Sequence, residues 1–181
     1  RDKNFVWDKS ISSNLGDFLV KISNNAINEL KIRHNFLNNS EDSFPILQKE
    51  ITDFKKKFLI EGIGLFVIDG KCFTDFSKEE SIEIYKKICK ILGTLYIQNN
   101  KNEKFVKIYD VGKSMQTGGR YHQTKEGGSF HTDSPQWKKV PDFIGLCCVN
   151  PAKKGGQSKF VNVYSIHNEM LKEHKHFLEM L

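Results

Sequence analysis

Residues 127–135 read Gly-Gly-Ser-Phe-His-Thr-Asp-Ser-Pro and place a histidine and an aspartate two positions apart. On a β-strand, residues i and i+2 project from the same face. The spacing therefore predicts that His131 and Asp133 direct an imidazole and a carboxylate toward one point. These groups are two of the three ligands of a 2-His-1-carboxylate iron site. Alone, the pattern is a weak signal, and the alternative is a surface histidine beside a turn-forming aspartate.

The stretch that leads into this pair, residues 112–128, is rich in Gly, Ser, Thr and Gln and is predicted to be a long loop. Loops carried on a rigid scaffold concentrate binding and catalytic residues. We therefore take Arg120, Gln123 and Lys125 as candidate substrate-binding residues, the alternative being ordinary solvent-exposed side chains. The lysines in and after this loop favour an anionic or carboxylate-bearing substrate.

Apolar periodicity and capping signals predict helices before and after this region. They cover Leu15 to Leu30, a segment beginning at Pro45, a segment from the capping box at Ser77 to about Leu92, and a last helix that starts near Tyr164 or Ser165. Apolar runs bounded by turn residues predict strands at 64–70, 105–111, 143–149 and 158–163.

The amino-acid composition bears on whether the protein binds nucleic acid. The chain has 181 residues, enough for one domain, and a net charge of +6. Only three of its 28 basic residues are arginine, and proteins that read nucleic acids depend on arginine for bidentate contacts. We therefore expect no nucleic-acid partner and interpret the charge as a solvated surface.

The cysteines and the hydropathy indicate a compartment. No CxxC motif is formed by the four cysteines, Cys72, Cys89, Cys147 and Cys148. The last two lie in an apolar run, which predicts buried free thiols. Free thiols favour a reducing environment. No apolar stretch is long enough to span a membrane, and no signal sequence follows Arg1. We expect a cytoplasmic protein without a membrane partner. The missing initial Met suggests a processed product or a piece of a longer chain.

From about Gly62 to Leu171 the sequence resembles the taurine/α-ketoglutarate dioxygenase (TauD/TfdA-like) family, including its clavaminate-synthase-like members. The resemblance rests on FHTDSP at 130–135, PDFIGL at 141–146 and PAKKGGQS at 151–158. Residues 64–111, which end in a Tyr-Asp-Val run, add to it. Together these segments cover over half of the chain and are far more specific than the His-x-Asp pair alone.

The resemblance implies an α+β fold with a double-stranded β-helix (jelly-roll) oxygenase core and flanking helices. We expect residues 1–60 to form a helical N-terminal region that packs on the core. Residues 61–181 would then form the first part of the jelly roll, with one domain overall. The resemblance also implies that His131 and Asp133 ligate Fe(II) and that Ser158, after the Gly155-Gly156 turn, contacts the carboxylate of 2-oxoglutarate.

The implied activity is that of an Fe(II)- and 2-oxoglutarate-dependent dioxygenase. With O2, such an enzyme would hydroxylate or desaturate an unactivated C–H bond of a small molecule, such as an amino acid or another carboxylate-bearing metabolite. The related halogenases have a small residue where this chain has Asp133, so the carboxylate argues against halogenation. The expected partner is this small-molecule substrate, and a homo-oligomer is left open.

Two features of the family are absent. The family has a third, distal histidine ligand and an arginine that binds 2-oxoglutarate. After Asp133 this chain has only His167, His174 and His176, and no arginine follows Arg120. We expect the N-terminal part of a longer enzyme. The alternatives are a jelly-roll binding module without catalysis, and a zinc hydrolase, which would lack a general-base motif near the metal.

Overall fold

The structure is a computed structural model that describes residues 5–32, 43–133 and 137–180. The chain divides into two compact units. The helical unit comprises residues 1–93 and 161–181, and the loop unit comprises residues 94–160. No helix in the described ranges is both long and apolar enough to cross a membrane.

The helical unit contains the α-helices and the sheet of the described chain. The helices are α1 (Asn24–Ile32), α2 (Pro45–Phe54), α3 (Lys78–Leu92), α4 (Val163–Glu173) and α5 (Lys175–Leu178), with a π-helix at Lys55–Ile60. Short 3-10 helices cover Lys9–Ser13, Leu15–Asp17 and Gly70–Phe73. Strands β1 (Leu19–Val20) and β2 (Val67–Ile68) are parallel, with Leu19 opposite Val67 and Val20 opposite Ile68.

The helix starts follow local chemistry. Pro45 occupies the first turn of α2, where its missing N–H costs nothing. At α3, Ser77 accepts from the Glu80 N–H while the Glu80 carboxylate accepts from the Ser77 N–H, which is a capping box. Asn162 caps α4 by accepting from the Ser165 N–H. The predicted helices from Pro45 and Ser77 and the predicted C-terminal helix are therefore confirmed.

The core of the helical unit lies where α1, α2 and α3 pack together. Four side chains are fully buried there: Leu30, Leu47, Ile51 and Ile84. Each removes its apolar surface from water, which contributes roughly 1.5–3 kcal/mol per side chain.

The predicted helix from Leu15 to Leu30 is wrong in its first half. The structure has a 3-10 turn at Leu15–Asp17, then strand β1, and helix begins only at Asn24. The Val67 and Asp69 N–H groups donate to Phe18 O and Val20 O, both at 2.8 Å. Tertiary pairing with β2 therefore overrides the helical spacing of the apolar residues.

The loop unit has little regular structure. In its described residues, helix is limited to 3-10 turns at Met115–Thr117 and Tyr121–Gln123. The predicted strands at 105–111, 143–149 and 158–163 do not form, and that at 64–70 shrinks to Val67–Ile68. Among the described residues of the loop unit, ladder-like bonds run from Tyr109 N to His122 O and from Val111 N to Gln123 O.

The jelly roll is therefore not confirmed by the described residues. A strand is defined by a ladder of hydrogen bonds to a neighbour. Within the described ranges, residues 105–111 have only the two bonds to residues 122 and 123, and residues 144–149 have no backbone hydrogen bond to another segment. The prediction of buried thiols is also wrong for Cys147 and Cys148, which are exposed. The division into residues 1–60 and 61–181 stays a prediction.

Candidate metal centre

The structure brings the side chains of His131 and Asp133 together. His131 Nε2 lies 3.5 Å from Asp133 Oδ1, and each side chain is 53% exposed. Both residues lie in the loop unit, beyond the Gly-Gly turn of the motif. The two groups therefore face one another at a place that solvent and ligands can reach.

A backbone carbonyl fixes the orientation of the imidazole. His131 Nδ1 lies 2.8 Å from Ser129 O. Because a carbonyl oxygen only accepts, this bond assigns the proton of a neutral ring to Nδ1 and leaves the lone pair on Nε2. Such a bond on the far nitrogen is typical of metal-binding histidines.

The pair fits a metal ion. In that tautomer, the Nε2 lone pair and a carboxylate oxygen face one another, an arrangement that a cation between them stabilises. Two ligands at right angles, each about 2.1 Å from a metal, lie about 3 Å apart. The separation of 3.5 Å is close to this value. Imidazole with carboxylate suits Fe(II).

The described residues supply only these two ligands. Within them, no group of three His, Cys, Asp or Glu side chains could hold a metal. His174 and His176 instead pack on Phe177, with ring centroids 5.8 and 4.1 Å from that ring. The late histidines therefore give no support to a zinc hydrolase.

The candidate substrate residues lie in a loop that is held by its own hydrogen bonds. Arg120 and Lys125 are exposed, and Gln123 is half-buried. Gln123 Oε1 accepts from the Arg120 N–H at 3.3 Å, and the Gln123 N–H donates to Arg120 O at 2.8 Å. Gln123 is therefore partly occupied in shaping the turn that presents Arg120.

Other residues of this loop were not singled out from the sequence. Glu126 accepts from the Met115 N–H at 3.0 Å, and the Thr124 hydroxyl accepts from the Glu126 N–H at 3.2 Å. Ser114 and Thr117 form a capping box around the first 3-10 turn. The spacing of Ser114 and Thr117 was a usable signal, whereas nothing local marks the bond between Met115 and Glu126.

Ser158 lies exposed in the segment that follows the Gly155-Gly156 turn. Both glycines have positive φ, 77° and 76°, which other residues rarely adopt. No hydrogen bond among the described residues joins Ser158 to His131 or Asp133. The role of Ser158 toward 2-oxoglutarate stays a prediction.

Comparison with known families places this geometry in context. The family model "Taurine catabolism dioxygenase TauD, TfdA family" matches residues 44–181, which include His131, Asp133 and Ser158. The chain belongs to the TauD/TfdA family. The resemblance carried by the three motifs is thereby confirmed.

One relative gives the extent of the similarity. FR-33289 synthase of Streptomyces rubellomurinus (strain ATCC 31215) is 30% identical over 117 residues. The match covers 64% of this chain and 33% of the relative, so the chain spans about a third of that protein's length. No solved structure matches the chain.

Proposed function

We propose that this TauD/TfdA family member is an Fe(II)- and 2-oxoglutarate-dependent oxygenase that hydroxylates or desaturates an unactivated C–H bond of a small molecule. The observation that carries the proposal is the facing pair of His131 Nε2 and Asp133 Oδ1, with the imidazole oriented by Ser129 O. The family membership supports Fe(II) and 2-oxoglutarate as the metal and cosubstrate that we propose for this pair. The activity of the full-length protein is part of the same proposal.

His131 and Asp133 would hold the metal through Nε2 and a carboxylate oxygen. When bound with 2-oxoglutarate, Fe(II) supplies the oxidising chemistry toward O2 and substrate. The bond from Nδ1 to Ser129 O keeps the ring oriented, so that little freedom is lost on binding. Asp133 keeps the carboxylate that the related halogenases lack, which supports hydroxylation or desaturation.

Ser158 would donate its hydroxyl to a carboxylate of 2-oxoglutarate. Gly155 and Gly156 have no side chains and adopt positive φ angles, so the preceding turn leaves room for a cosubstrate to approach the backbone. One hydrogen bond of this kind contributes about 1 kcal/mol, or about fivefold in affinity. This contribution is separate from that of the metal ligands.

The substrate we propose is an anion, such as an amino acid or another carboxylate-bearing metabolite. Arg120 and Lys125 are exposed on the loop that precedes the metal ligands, and the Gln123 turn fixes the backbone at Arg120. A guanidinium presented from a fixed turn can bind a carboxylate through two parallel bonds. Gln123 keeps its side-chain amide N–H groups for the same ligand.

The experiment uses the full-length protein with Fe(II) and 2-oxoglutarate under anaerobic conditions. The wild type should develop a weak visible absorption band and, once O2 is admitted, form succinate. Asp133→Ala and His131→Ala should each weaken Fe(II) binding by roughly 100-fold or more, since loss of an outer-shell partner alone costs 10–100-fold. Thr132→Ala, between the two ligands, is the matched control and should keep the band.

A second candidate is a jelly-roll binding module without catalysis. It is favoured by the absence of a third potential ligand near this pair among the described residues. A wild-type protein that shows neither band nor succinate would support this candidate and remove the oxygenase proposal. A band that persists unchanged in Asp133→Ala would remove Asp133 from the metal site, and one that persists unchanged in His131→Ala would remove His131.

A further inference from the structure

Asn162 is a buried polar residue whose side chain bonds to a distant segment and caps α4. Asn162 is only 8% exposed. Its Nδ2 donates to Phe5 O at 2.9 Å, and its Oδ1 accepts from the Ser165 N–H at 2.8 Å. Asn162 thus caps α4 and, with the same amide, binds a segment 157 residues earlier in the chain.

The partner is a short N-terminal strap, residues 5–7. The strap receives a second bond from the Ser165 hydroxyl, which donates to Trp7 O at 2.5 Å. It is itself fixed by Trp7 Nε1, which donates to Ile63 O at 2.9 Å. Two hydrogen bonds therefore join the start of α4 to the strap, and a third joins the strap to Ile63. All three connect residues that are far apart in the sequence.

The segment just before this anchor has no such support. Residues 157–161 are exposed, and within the described part of the chain they take part in no backbone hydrogen bond. The segment begins at the Gly155-Gly156 turn, the least restricted kind of backbone. Its fixed end is therefore Asn162. Four residues span at most about 14 Å, so the anchor limits where Ser158 can lie.

We infer that Asn162 is a positioning residue for Ser158, and that its bond to the N-terminal strap sets the affinity for 2-oxoglutarate. The inference rests on the proposed function, and it uses chain connectivity alone. With the anchor in place, one end of residues 157–161 is fixed, so less of their freedom has to be lost when Ser158 binds the cosubstrate carboxylate. Without it, that ordering opposes binding.

Asn162→Asp isolates the bond to the strap. Aspartate caps a helix as well as asparagine does, so the bond from the Ser165 N–H is kept. The donor to Phe5 O is lost, and a carboxylate faces that carbonyl instead. Asn168→Asp is the matched control, because it makes the same chemical change at an exposed position of α4.

The test measures the dissociation constant of 2-oxoglutarate in full-length protein loaded with Fe(II), by anaerobic titration of the visible band. Asn162→Asp should raise it about fivefold, the value of one neutral hydrogen bond, and Asn168→Asp should leave it unchanged. In turnover, KM for 2-oxoglutarate should rise with little change in KM for the substrate.

A double-mutant cycle separates positioning from general destabilisation. In a Ser158→Ala background, Asn162→Asp should have no further effect on the dissociation constant, because it acts through Ser158. Equal effects in both backgrounds, or none in either, would overturn the inference. If Asn162→Asp does not fold, Ser165→Ala removes the bond to Trp7 O, keeps the cap and is tested by the same criteria. A wild type that binds no 2-oxoglutarate would overturn the proposed function itself.

Discussion

The helical unit and the loop unit use similar apolar sequences with opposite results. In the helical unit, Leu47 and Ile51 are fully buried between helices. In the loop unit, Ile144 is 57% and Leu146 is 62% exposed, although their apolar run was predicted to be a strand. Local hydrophobicity does not distinguish the two segments.

The difference lies in where the backbone finds its hydrogen bonds. A helix bonds to itself and needs to bury only one face, so α2 and α3 form where their own sequences dictate. A strand requires a neighbouring strand before its side chains can be buried. The candidate metal ligands lie in the less packed unit, as binding residues often do.

The largest expected effect comes from truncating matched leucines in the two units. Leu47→Ala should lower the free energy of unfolding by about 2–5 kcal/mol, because it leaves a cavity in the core. Leu146→Ala should change it by no more than about 0.5 kcal/mol, because that side chain is exposed. Urea unfolding of the two variants in parallel measures both.

A large loss in Leu146→Ala would break the comparison. It would mean that residues 143–149 are buried in the full-length protein by a partner strand, as the jelly-roll prediction requires. The experiment therefore also tests the part of the fold that the described residues leave open.

The next effect concerns two glycines. A Cβ added at Gly62 would lie 2.4 Å from Lys57 O, a backbone atom within the π-helix. Gly62→Ala should therefore cost roughly 1–3 kcal/mol, as overpacking does. At Gly127, in the loop unit, a Cβ meets nothing within 4 Å, and Gly127→Ala should be neutral or slightly stabilising. Equal melting temperatures for the two variants would contradict the close packing at Gly62.

Helix caps give a smaller contrast. Ser77→Ala removes the cap of α3, a 15-residue helix that packs on the core, and should cost about 1 kcal/mol. Ser114→Ala removes the equivalent bond from a three-residue turn and should cost at most about 0.5 kcal/mol. Thermal unfolding of the pair measures the difference. A larger loss for Ser114→Ala would show that the loop unit is more cooperative than its contacts indicate.

The sequence predicted those parts of the fold that depend on local chemistry. The capping box at Ser77 and the proline at position 45 were readable because each acts within one turn of helix. The pairing of β1 with β2 was not readable, since the partners lie almost 50 residues apart and each strand has only two residues. The apolar spacing from Leu15 to Leu30 therefore suggested helix where the structure has a strand.

The candidate site likewise has features that could be predicted from the sequence and features that could not. The proximity of His131 and Asp133 was predicted from strand spacing, and the two side chains do lie close together, but the structure has no strand at residues 131–133. The bond from His131 Nδ1 to Ser129 O and the anchoring of Asn162 by Phe5 depend on backbone geometry. Neither has a signature in residue types, so neither could be predicted.

The smallest expected effect separates the cysteines of the two units. Burial raises the pKa of the Cys72 thiol, whose Sγ lies 2.7 Å from Asp69 O. Desolvation is also the main cause of the raised pKa of the Cys147 thiol, and the neighbouring Cys148 is a second cause. Because the thiolate is the nucleophile, alkylation of both should keep accelerating as the pH rises above the usual thiol value. A raised folded-state pKa also means that the associated stability is present at neutral pH and is lost as the pH rises through that pKa.

Exposure should then set which of the two thiols reacts first. Cys147 is exposed and should react with iodoacetamide severalfold faster than the half-buried Cys72 at every pH up to about 9. Mass spectrometry of peptides from native full-length protein measures both rates, with urea-unfolded protein as the reference for equal access. Strong protection of Cys147 from iodoacetamide in the native protein would mean that residues 143–149 pack against a neighbouring segment. Together with a large loss in Leu146→Ala, that result would locate the missing sheet partner along residues 143–149.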